Sequence, residues 1–141
     1  NVKAMFFLTQ KCLPYLRKTG SKPEHLSRVI NIGSISGIEV PADNAWSYHP
    51  AKAAVHHLTQ TLAKGLVRQG IAVNTIAPGL FPSKMTAFMM PGGDDKLVGP
   101  AIPMGRAGRP SDIVGTVVYL ASKASGFATG ALIKLDGGSA L

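Results

Sequence analysis

Apolar residues recur along this chain at helical spacing in some stretches and as short β-branched runs in others. The clearest stretch covers residues 46–68, where an apolar stripe at helical spacing predicts a long helix. The stripe consists of Val55, Leu58, Leu62 and Leu66. Proline fits only the first turn of a helix, so Pro50 places the helix start close to Ser47, and Gly70 ends it.

Two short strands flank this long helix. β-branched residues dominate at 28–33 and again at 71–76, which is typical of buried strands. A strand, a helix and a second strand form a crossover unit that is nearly always right-handed and whose strands run parallel. The chain therefore contains at least one βαβ unit.

The remaining stretches complete an α/β chain. Residues 1–18 have a helical apolar pattern, and Pro14 should kink this helix or limit it to two shorter turns. The other predicted elements are a polar loop at 19–27, a loop at 34–45, a long excursion at 80–108, a helix from 110 to about 123 and a strand at 131–135. Together the patterns predict an α/β fold with at least three parallel strands.

Composition and charge narrow the classes of function. Apolar residues make up 45% of the chain and charged residues 16%, which indicates one globular domain. A single cysteine, Cys12, excludes a disulfide framework and a cysteine-clustered zinc site, and no metal is expected. The net charge is +8, but the cations are scattered, so a nucleic-acid partner is not expected. No stretch approaches the ~18 apolar residues of a membrane span, and we expect a cytoplasmic protein without a membrane partner.

A candidate acid/base pair lies at the start of the long helix. Tyr48 and Lys52 are one helical turn apart and share a face. An ammonium group close to a phenol favours the phenolate, and such a pair can act as a general acid/base. The hydroxyl of Ser34, at the end of the preceding strand, could reach the same point and hold a carbonyl oxygen. The pair alone is not specific, because a half-buried tyrosine beside a solvated lysine is common on helices.

The order and spacing of several motifs are far more specific than this pair. The motifs are N-I-G-S at 31–34, Y-H-P-A-K at 48–52, V-N-T-I-A-P-G at 73–79, and T-G at 129–130 followed by D-G-G at 136–138. Together they resemble the short-chain dehydrogenase/reductase family over the whole chain. Details of the sequence are most similar to its β-ketoacyl reductase branch, including the rhamnolipid-pathway type.

This resemblance implies a fold, a cofactor and partners. Residues 1–141 would be the C-terminal catalytic portion of a single Rossmann-like, doubly wound parallel sheet. The family's glycine-rich phosphate turn does not occur here, so an upstream half that carries it is expected, and strand 28–33 would lack its partner on one side. The expected cofactor is NADP, with NAD possible, and the substrate is a small carbonyl compound such as a β-ketoacyl thioester. A homodimer or homotetramer is expected. The alternative is a catalytically silent binding or assembly module of the same fold.

The resemblance also implies catalytic roles. Tyr48 would donate the proton to the carbonyl, and Lys52 would assist it and hold the nicotinamide ribose hydroxyls. Ser34 would orient the carbonyl, with Ser36 as the alternative, because the segment up to Tyr48 is one residue longer than in the family. Ser34 is preferred because it directly ends the strand. Asn1 would support a water-linked proton relay through Lys52.

The remaining implied contacts follow the second strand. Pro78, Gly79 and Phe81 would hold the nicotinamide face, and Ser83 stands where the family often has threonine. His49 is interpreted as solvent-facing in preference to a residue at the rim of the active site. The methionines of the excursion suit either an adaptable lid or plain packing; they are Met85, Met89 and Met90.

Overall fold

The computed structural model describes residues 1–20 and 25–141, so part of the loop predicted at 19–27 lies outside the described residues. Within these residues, three α-helices and three strands alternate. The helices are α1 (Val2–Thr19), α2 (Tyr48–Leu66) and α3 (Pro110–Ala121), and the strands are β1 (Ser27–Ile32), β2 (Ile71–Pro78) and β3 (Leu132–Leu135). The predicted α/β order is therefore confirmed.

The three strands form one parallel sheet in the order β1-β2-β3. Ile32 at the end of β1 pairs with Ile76, and Pro78 at the end of β2 pairs with Leu135. β2 is buried along nearly its whole length, as a central strand covered on both faces should be. The carboxyl ends of the strands consequently meet at one edge, where ligands bind in open parallel sheets.

Helices cover both faces of this sheet. A core cluster joins α1 and α2 to one face and includes Ala63, Leu66, Ile71 and Val73, with Leu13, Leu16, Val29 and Leu62 packed against it. Successive residues of a strand point to opposite faces. The side chain of Arg28 therefore points away from this cluster, and it donates to the carbonyl groups of Ser122 and Ser125 just beyond α3. α3 covers the face opposite α1 and α2.

α1 is one continuous helix of 18 residues that runs through Pro14, so of the two expected effects of this proline the limitation to two shorter turns is wrong. Leu13 and Leu16, on either side of the proline, pack on the core cluster. This packing offsets the one backbone hydrogen bond that proline removes. Tertiary contacts here override the local preference.

Asn74 hydrogen-bonds through its side chain to the segment that leads into β3. Its side chain is 1% exposed and lies in the middle of β2. Its Nδ2 donates to the carbonyl of Ala128 at 3.0 Å, and its Oδ1 accepts from the N–H of Ala131 at 3.0 Å. The amide thus pairs both ways with the backbone that leads into β3.

The excursion after β2 contains short helical turns at Pro91–Gly93 and Gly99–Ala101. Met90 packs with Ile102 and Ala107 in a small core of its own, whereas Met85 is exposed. Packing is therefore the role of Met90. Within residues 1–20 and 25–141, no helix is both long enough and apolar enough to cross a membrane.

Candidate active site

The ends of β1 and β2 bring the predicted segments to one place. The N–H of Gly33 donates to the carbonyl of Ile76 at 2.7 Å, and the N–H of Gly79 donates to the carbonyl of Leu135 at 3.0 Å. A Cβ added at Gly79 would lie 2.7 Å from the Cβ of Asp136, so only glycine permits this close approach. The residues that follow all three strands therefore share one edge of the sheet.

Lys52 and Tyr48 lie together at the start of α2. The Nζ of Lys52 is 5.6 Å from the centroid of the Tyr48 ring and donates to the carbonyl of Ile32 at 3.0 Å. Lys52 is 8% exposed, and this burial lowers its pKa. An ammonium group has three N–H donors, and the hydrogen bond to Ile32 uses one of them, so the other two can donate to other acceptors. The lysine ties α2 to the last residue of β1.

Ser34 is buried two residues after the end of β1. Its Oγ accepts from the N–H of Ser36 at 3.2 Å, which leaves the hydroxyl proton of Ser34 available to a carbonyl oxygen. Ser36 lies in the next turn, Ile35–Gly37, and is only half-buried. The two candidate serines thus differ in burial and in distance from the strand end.

His56 is a residue that the sequence reasoning missed. It is 8% exposed, and its Nε2 accepts from the N–H of Ser34 at 3.4 Å. Burial lowers the pKa of His56, the nearby ammonium of Lys52 lowers it further, and the backbone of Gly37 opposes both. The available signal was spacing: Tyr48, Lys52 and His56 follow one another at intervals of one helical turn.

The expectation that His49 faces solvent is wrong. His49 is 7% exposed, and its Nε2 lies 2.8 Å from Oδ1 of Asp43. The loop before α2 folds over the helix start and covers the ring. The N–H of Ala45, followed by the contact with His49, lowers the pKa of Asp43. His49 and Trp46 line a cavity of about 430 Å³ beside the loop, together with Ser36 and Gly37 from the turn after β1.

A buried polar cluster holds α2 on the sheet beneath these residues. The Nδ2 of Asn31 donates to Oγ1 of Thr59 at 2.9 Å, and the hydroxyl of Thr75 donates to the same oxygen at 2.6 Å. The hydroxyl of Thr59 donates in turn to the carbonyl of Val55 at 2.9 Å. One side chain of α2 is thereby bonded to both β1 and β2.

The other predicted contact residues are spread more widely. Pro78 and Gly79 are half-buried at the end of β2. The ring of Phe81 packs so closely on Gly108 that a Cβ there would lie 2.2 Å from it. Ser83 is exposed and hydrogen-bonds Thr86, with 3.0 Å between the hydroxyl oxygens.

Asn1 is exposed at the head of α1. No hydrogen bond joins its side chain to Lys52 in the described part of the chain, where Lys52 bonds Ile32 instead. The structure therefore places Ser34, Tyr48 and Lys52 around the end of β1 and adds His56, while Asn1 makes no direct hydrogen bond to Lys52.

Comparison with known proteins gives consistent matches. A family model described as enoyl-(acyl carrier protein) reductase matches residues 1–140. The chain is 44% identical over 141 residues to a rhamnolipids biosynthesis 3-oxoacyl-[acyl-carrier-protein] reductase of Pseudomonas aeruginosa, covering 98% of this chain and 54% of that protein. It is 38% identical over 138 residues to the (3R)-3-hydroxyacyl-CoA dehydrogenase of Canis lupus familiaris, covering 98% and 51%.

Solved structures agree with these relatives. The Pseudomonas aeruginosa RhlG/NADP active-site complex superposes with a TM-score of 0.89 at 42% identity, covering 99% of this chain and 56% of that one. A putative 2-deoxy-d-gluconate 3-dehydrogenase from Agrobacterium tumefaciens with bound NADP superposes with a TM-score of 0.83 at 36% identity, covering 97% and 54%. The chain thus spans about half the length of the curated relatives it matches.

Proposed function

Because the chain belongs to the enoyl-(acyl carrier protein) reductase family of short-chain dehydrogenases/reductases, we propose that the whole protein uses NADP to reduce a carbonyl to a secondary alcohol. The observation that carries this proposal is the buried Lys52 ammonium beside the Tyr48 ring, at the strand end that bears Ser34. The relatives named for 3-oxoacyl and 3-hydroxyacyl substrates favour a β-ketoacyl thioester. Residues 1–141 would be the C-terminal catalytic portion of one domain.

The residues at the sheet edge fit a nicotinamide. Lys52 uses one of its three donors on Ile32, so two are free for neighbouring hydroxyls such as those of a ribose. Half-buried Pro78 ends β2 and half-buried Gly79 follows it, and Phe81 adds an apolar ring in the next segment. Three matching structures hold NADP and one holds NAD+, which favours NADP over NAD. When bound in reduced form, the cofactor supplies a hydride.

The chain's own residues would supply the proton and hold the substrate. The hydroxyl of Ser34 keeps its proton free and donates it as a hydrogen bond to the carbonyl oxygen. The phenol of Tyr48 transfers its proton to the same oxygen as negative charge develops there. Lys52 holds the ribose and favours the phenolate left behind. Ser83 would contact the carboxamide, and Asn1 would support return of protons through water.

Association into a homodimer or homotetramer completes the proposal. α1 exposes three consecutive apolar side chains, Phe6, Phe7 and Leu8, with Phe7 at 49% and Leu8 at 67% exposed. Most soluble oligomers have two-fold symmetry, and such a patch suits a second copy. Sedimentation velocity of the whole protein at micromolar concentration should show a dimer or tetramer; a strict monomer would remove this part of the proposal.

Replacement of Tyr48 by phenylalanine tests the chemistry. In the whole protein, Tyr48→Phe should lower carbonyl reduction by about 10²–10⁴-fold, because only the proton donor is lost. Binding of NADPH, measured by fluorescence titration, should stay within about threefold of wild type. Tyr15→Phe is the matched control, because Tyr15 is 75% exposed on α1. Tyr48→Phe activity within about threefold of wild type would refute the assignment, and a wild type that binds NADPH without reducing any ketone would indicate a silent binding module.

A further inference from the structure

We propose that His56 is a positioning residue for the reduction proposed above: its neutral imidazole holds the turn that carries Ser34, and its protonation sets the acidic limit of activity. This inference rests on the proposed function for its kinetic consequence. Its structural part concerns only the contact between His56 and the backbone of Ser34.

The contact fixes the backbone on which the Ser34 hydroxyl is mounted. The Nε2 of His56 accepts from the N–H of Ser34 at 3.4 Å, at the long end of the hydrogen-bond range. The Oγ of Ser34 accepts from the N–H of Ser36 at 3.2 Å. His56 is thus hydrogen-bonded to the backbone of Ser34, the candidate carbonyl ligand, which caps the turn at Ile35–Gly37.

Two glycines shape a slot for the imidazole. A Cβ at Gly33 would lie 2.3 Å from Nε2 of His56, and a Cβ at Gly37 would lie 2.8 Å from Cε1 of the same ring. Neither glycine has a positive φ, so backbone conformation does not require glycine at either position. The close approach of neighbouring atoms does require it. A Cβ at Gly33 would meet the His56 ring and the side chain of Thr75, and a Cβ at Gly37 would meet the same ring and the α2 backbone. The loop at the end of β1 is therefore built around a ring at position 56.

The hydrogen bond needs an unprotonated nitrogen. Lys52, one turn earlier on α2, is the charged group that faces the ring, and its ammonium disfavours a second positive charge. The loop residues next to the ring are Gly33, Ser34 and Gly37, and Thr75 of β2 lies beside Gly33; none of the four has a titratable side chain. Burial also lowers the pKa of His56, so the ring is neutral at pH 7.

Acidification would reverse the contact. When Nε2 gains a proton, it becomes a donor that faces the N–H of Ser34, another donor. The imidazolium would also repel the buried ammonium of Lys52. Both effects would loosen the backbone at Ser34. Because the pKa of His56 is lowered from the ordinary histidine value of about 6.5, this loosening should occur below about pH 6.5.

Three variants of the whole protein separate this role from simple packing. His56→Gln keeps a hydrogen-bond acceptor but does not titrate. His56→Phe keeps a ring of similar size but has no acceptor. His57→Gln is the matched control, because His57 is the next residue on α2 and its side chain is exposed. For each variant, kcat and KM are measured from roughly pH 5 to 8, the range in which histidine titrates.

Wild type and His57→Gln should lose kcat on acidification below about pH 6.5. His56→Gln should stay within about threefold of wild-type kcat at neutral pH and lose this acidic decline. His56→Phe should lower kcat by about tenfold at neutral pH while KM for NADPH changes less than about twofold, because the cofactor contacts are untouched. An acidic decline that is the same in His56→Gln and wild type would overturn the proposal.

NMR tests the contact independently of catalysis. In wild type, the nitrogen shifts of His56 should show an unprotonated Nε2 at pH 7, and the Ser34 amide should exchange slowly with solvent. The same amide should exchange at least about tenfold faster in His56→Phe than in His56→Gln. If His56 is protonated at pH 7, or Ser34 is equally protected in both variants, the inference is wrong.

The spectra also keep the two proposals distinguishable. If the whole protein reduces no carbonyl compound, the proposed function fails, and the protonation of His56 and the protection of Ser34 still test the contact. If His56→Phe does not fold, the acidic decline of wild type against that of His56→Gln remains the deciding comparison.

Discussion

Removal of the Thr59 hydroxyl should destabilise the protein strongly, although the change keeps the shape of the side chain. Thr59→Val replaces one hydroxyl by a methyl group in a site that is 1% exposed. The Nδ2 of Asn31 and the hydroxyl of Thr75, both buried, then lose their shared acceptor. Each buried donor left without a partner costs roughly 1–3 kcal/mol, so with two such donors the free energy of unfolding should fall by about 2–6 kcal/mol.

The assay is urea unfolding of the whole protein, followed by circular dichroism. The denaturation midpoint should fall while the m-value stays constant, because the surface exposed on unfolding is unchanged. Thr61→Val is a matched control on the same helix: its hydroxyl donates to the carbonyl of His57 at 3.0 Å but lies in solvent. We expect it to change stability by less than about 0.5 kcal/mol.

A double-mutant cycle isolates the pairwise term. Once Asn31 has been replaced by alanine, Thr59→Val should cost about 1–2 kcal/mol less than in wild type, because one of the two stranded donors is already gone. The reasoning is refuted if Thr59→Val costs no more than Thr61→Val, or if the two substitutions at positions 31 and 59 are additive.

Two further predictions concern backbone space and acid stability. Gly33→Ala should lower the free energy of unfolding by about 1–3 kcal/mol, because its Cβ would lie 2.3 Å from Nε2 of His56. Gly65→Ala should raise the free energy of unfolding by about 0.5–1 kcal/mol, because a Cβ there meets no other atom and alanine favours the helix. Thermal unfolding compares the two variants, and equal effects would contradict the steric argument. The side chain of Arg106, followed by the N–H of Arg109, lowers the pKa of Asp112 from its ordinary value of 3.8, so its stabilising effect is present above 3.8 and is lost as the pH falls through the lower folded value. Asp112→Asn should remove this acid-dependent loss and lower stability at neutral pH, which urea midpoints at pH 7 and in acid would measure; an unchanged pH dependence would argue against the ion pair.

Much of the fold follows from local patterns in the sequence. The stripe of α2 and the β-branched runs of β1 and β2 are repeated signals, and each matches the element found to within a few residues. Pro14 is the exception, because its effect depends on leucines that pack against distant residues. Local preference predicts an element only where tertiary contacts do not oppose it.

The candidate site also has one part that the local sequence predicts and another that depends on tertiary contacts. Tyr48 and Lys52 are one turn apart, so their common face is a local property and could be predicted. The burial of His49 and His56 depends on a loop that folds back over the helix, with His56 close to Gly33 and Gly37 and His49 close to Asp43. No pattern within one element encodes such an approach. The contact of the His56 ring with Gly33 and Gly37 arises only from the tertiary packing of α2 against the end of β1.

The amide of Asn74 has a consequence for the order in which the chain assembles. β1, α2 and β2 are consecutive in sequence, and Ser27 of β1 pairs with Ile71 of β2, 44 positions away, whereas Ala131 is 57 positions from Asn74. β3 is only four residues long and depends on that one side chain for two of its anchoring bonds. The βαβ unit should therefore form first, with β3 docking late in folding and opening as a separate cooperative unit in the native state. Asn74→Ala should mainly speed unfolding of the carboxyl-terminal segment and leave the rate at which the βαβ unit forms nearly unchanged.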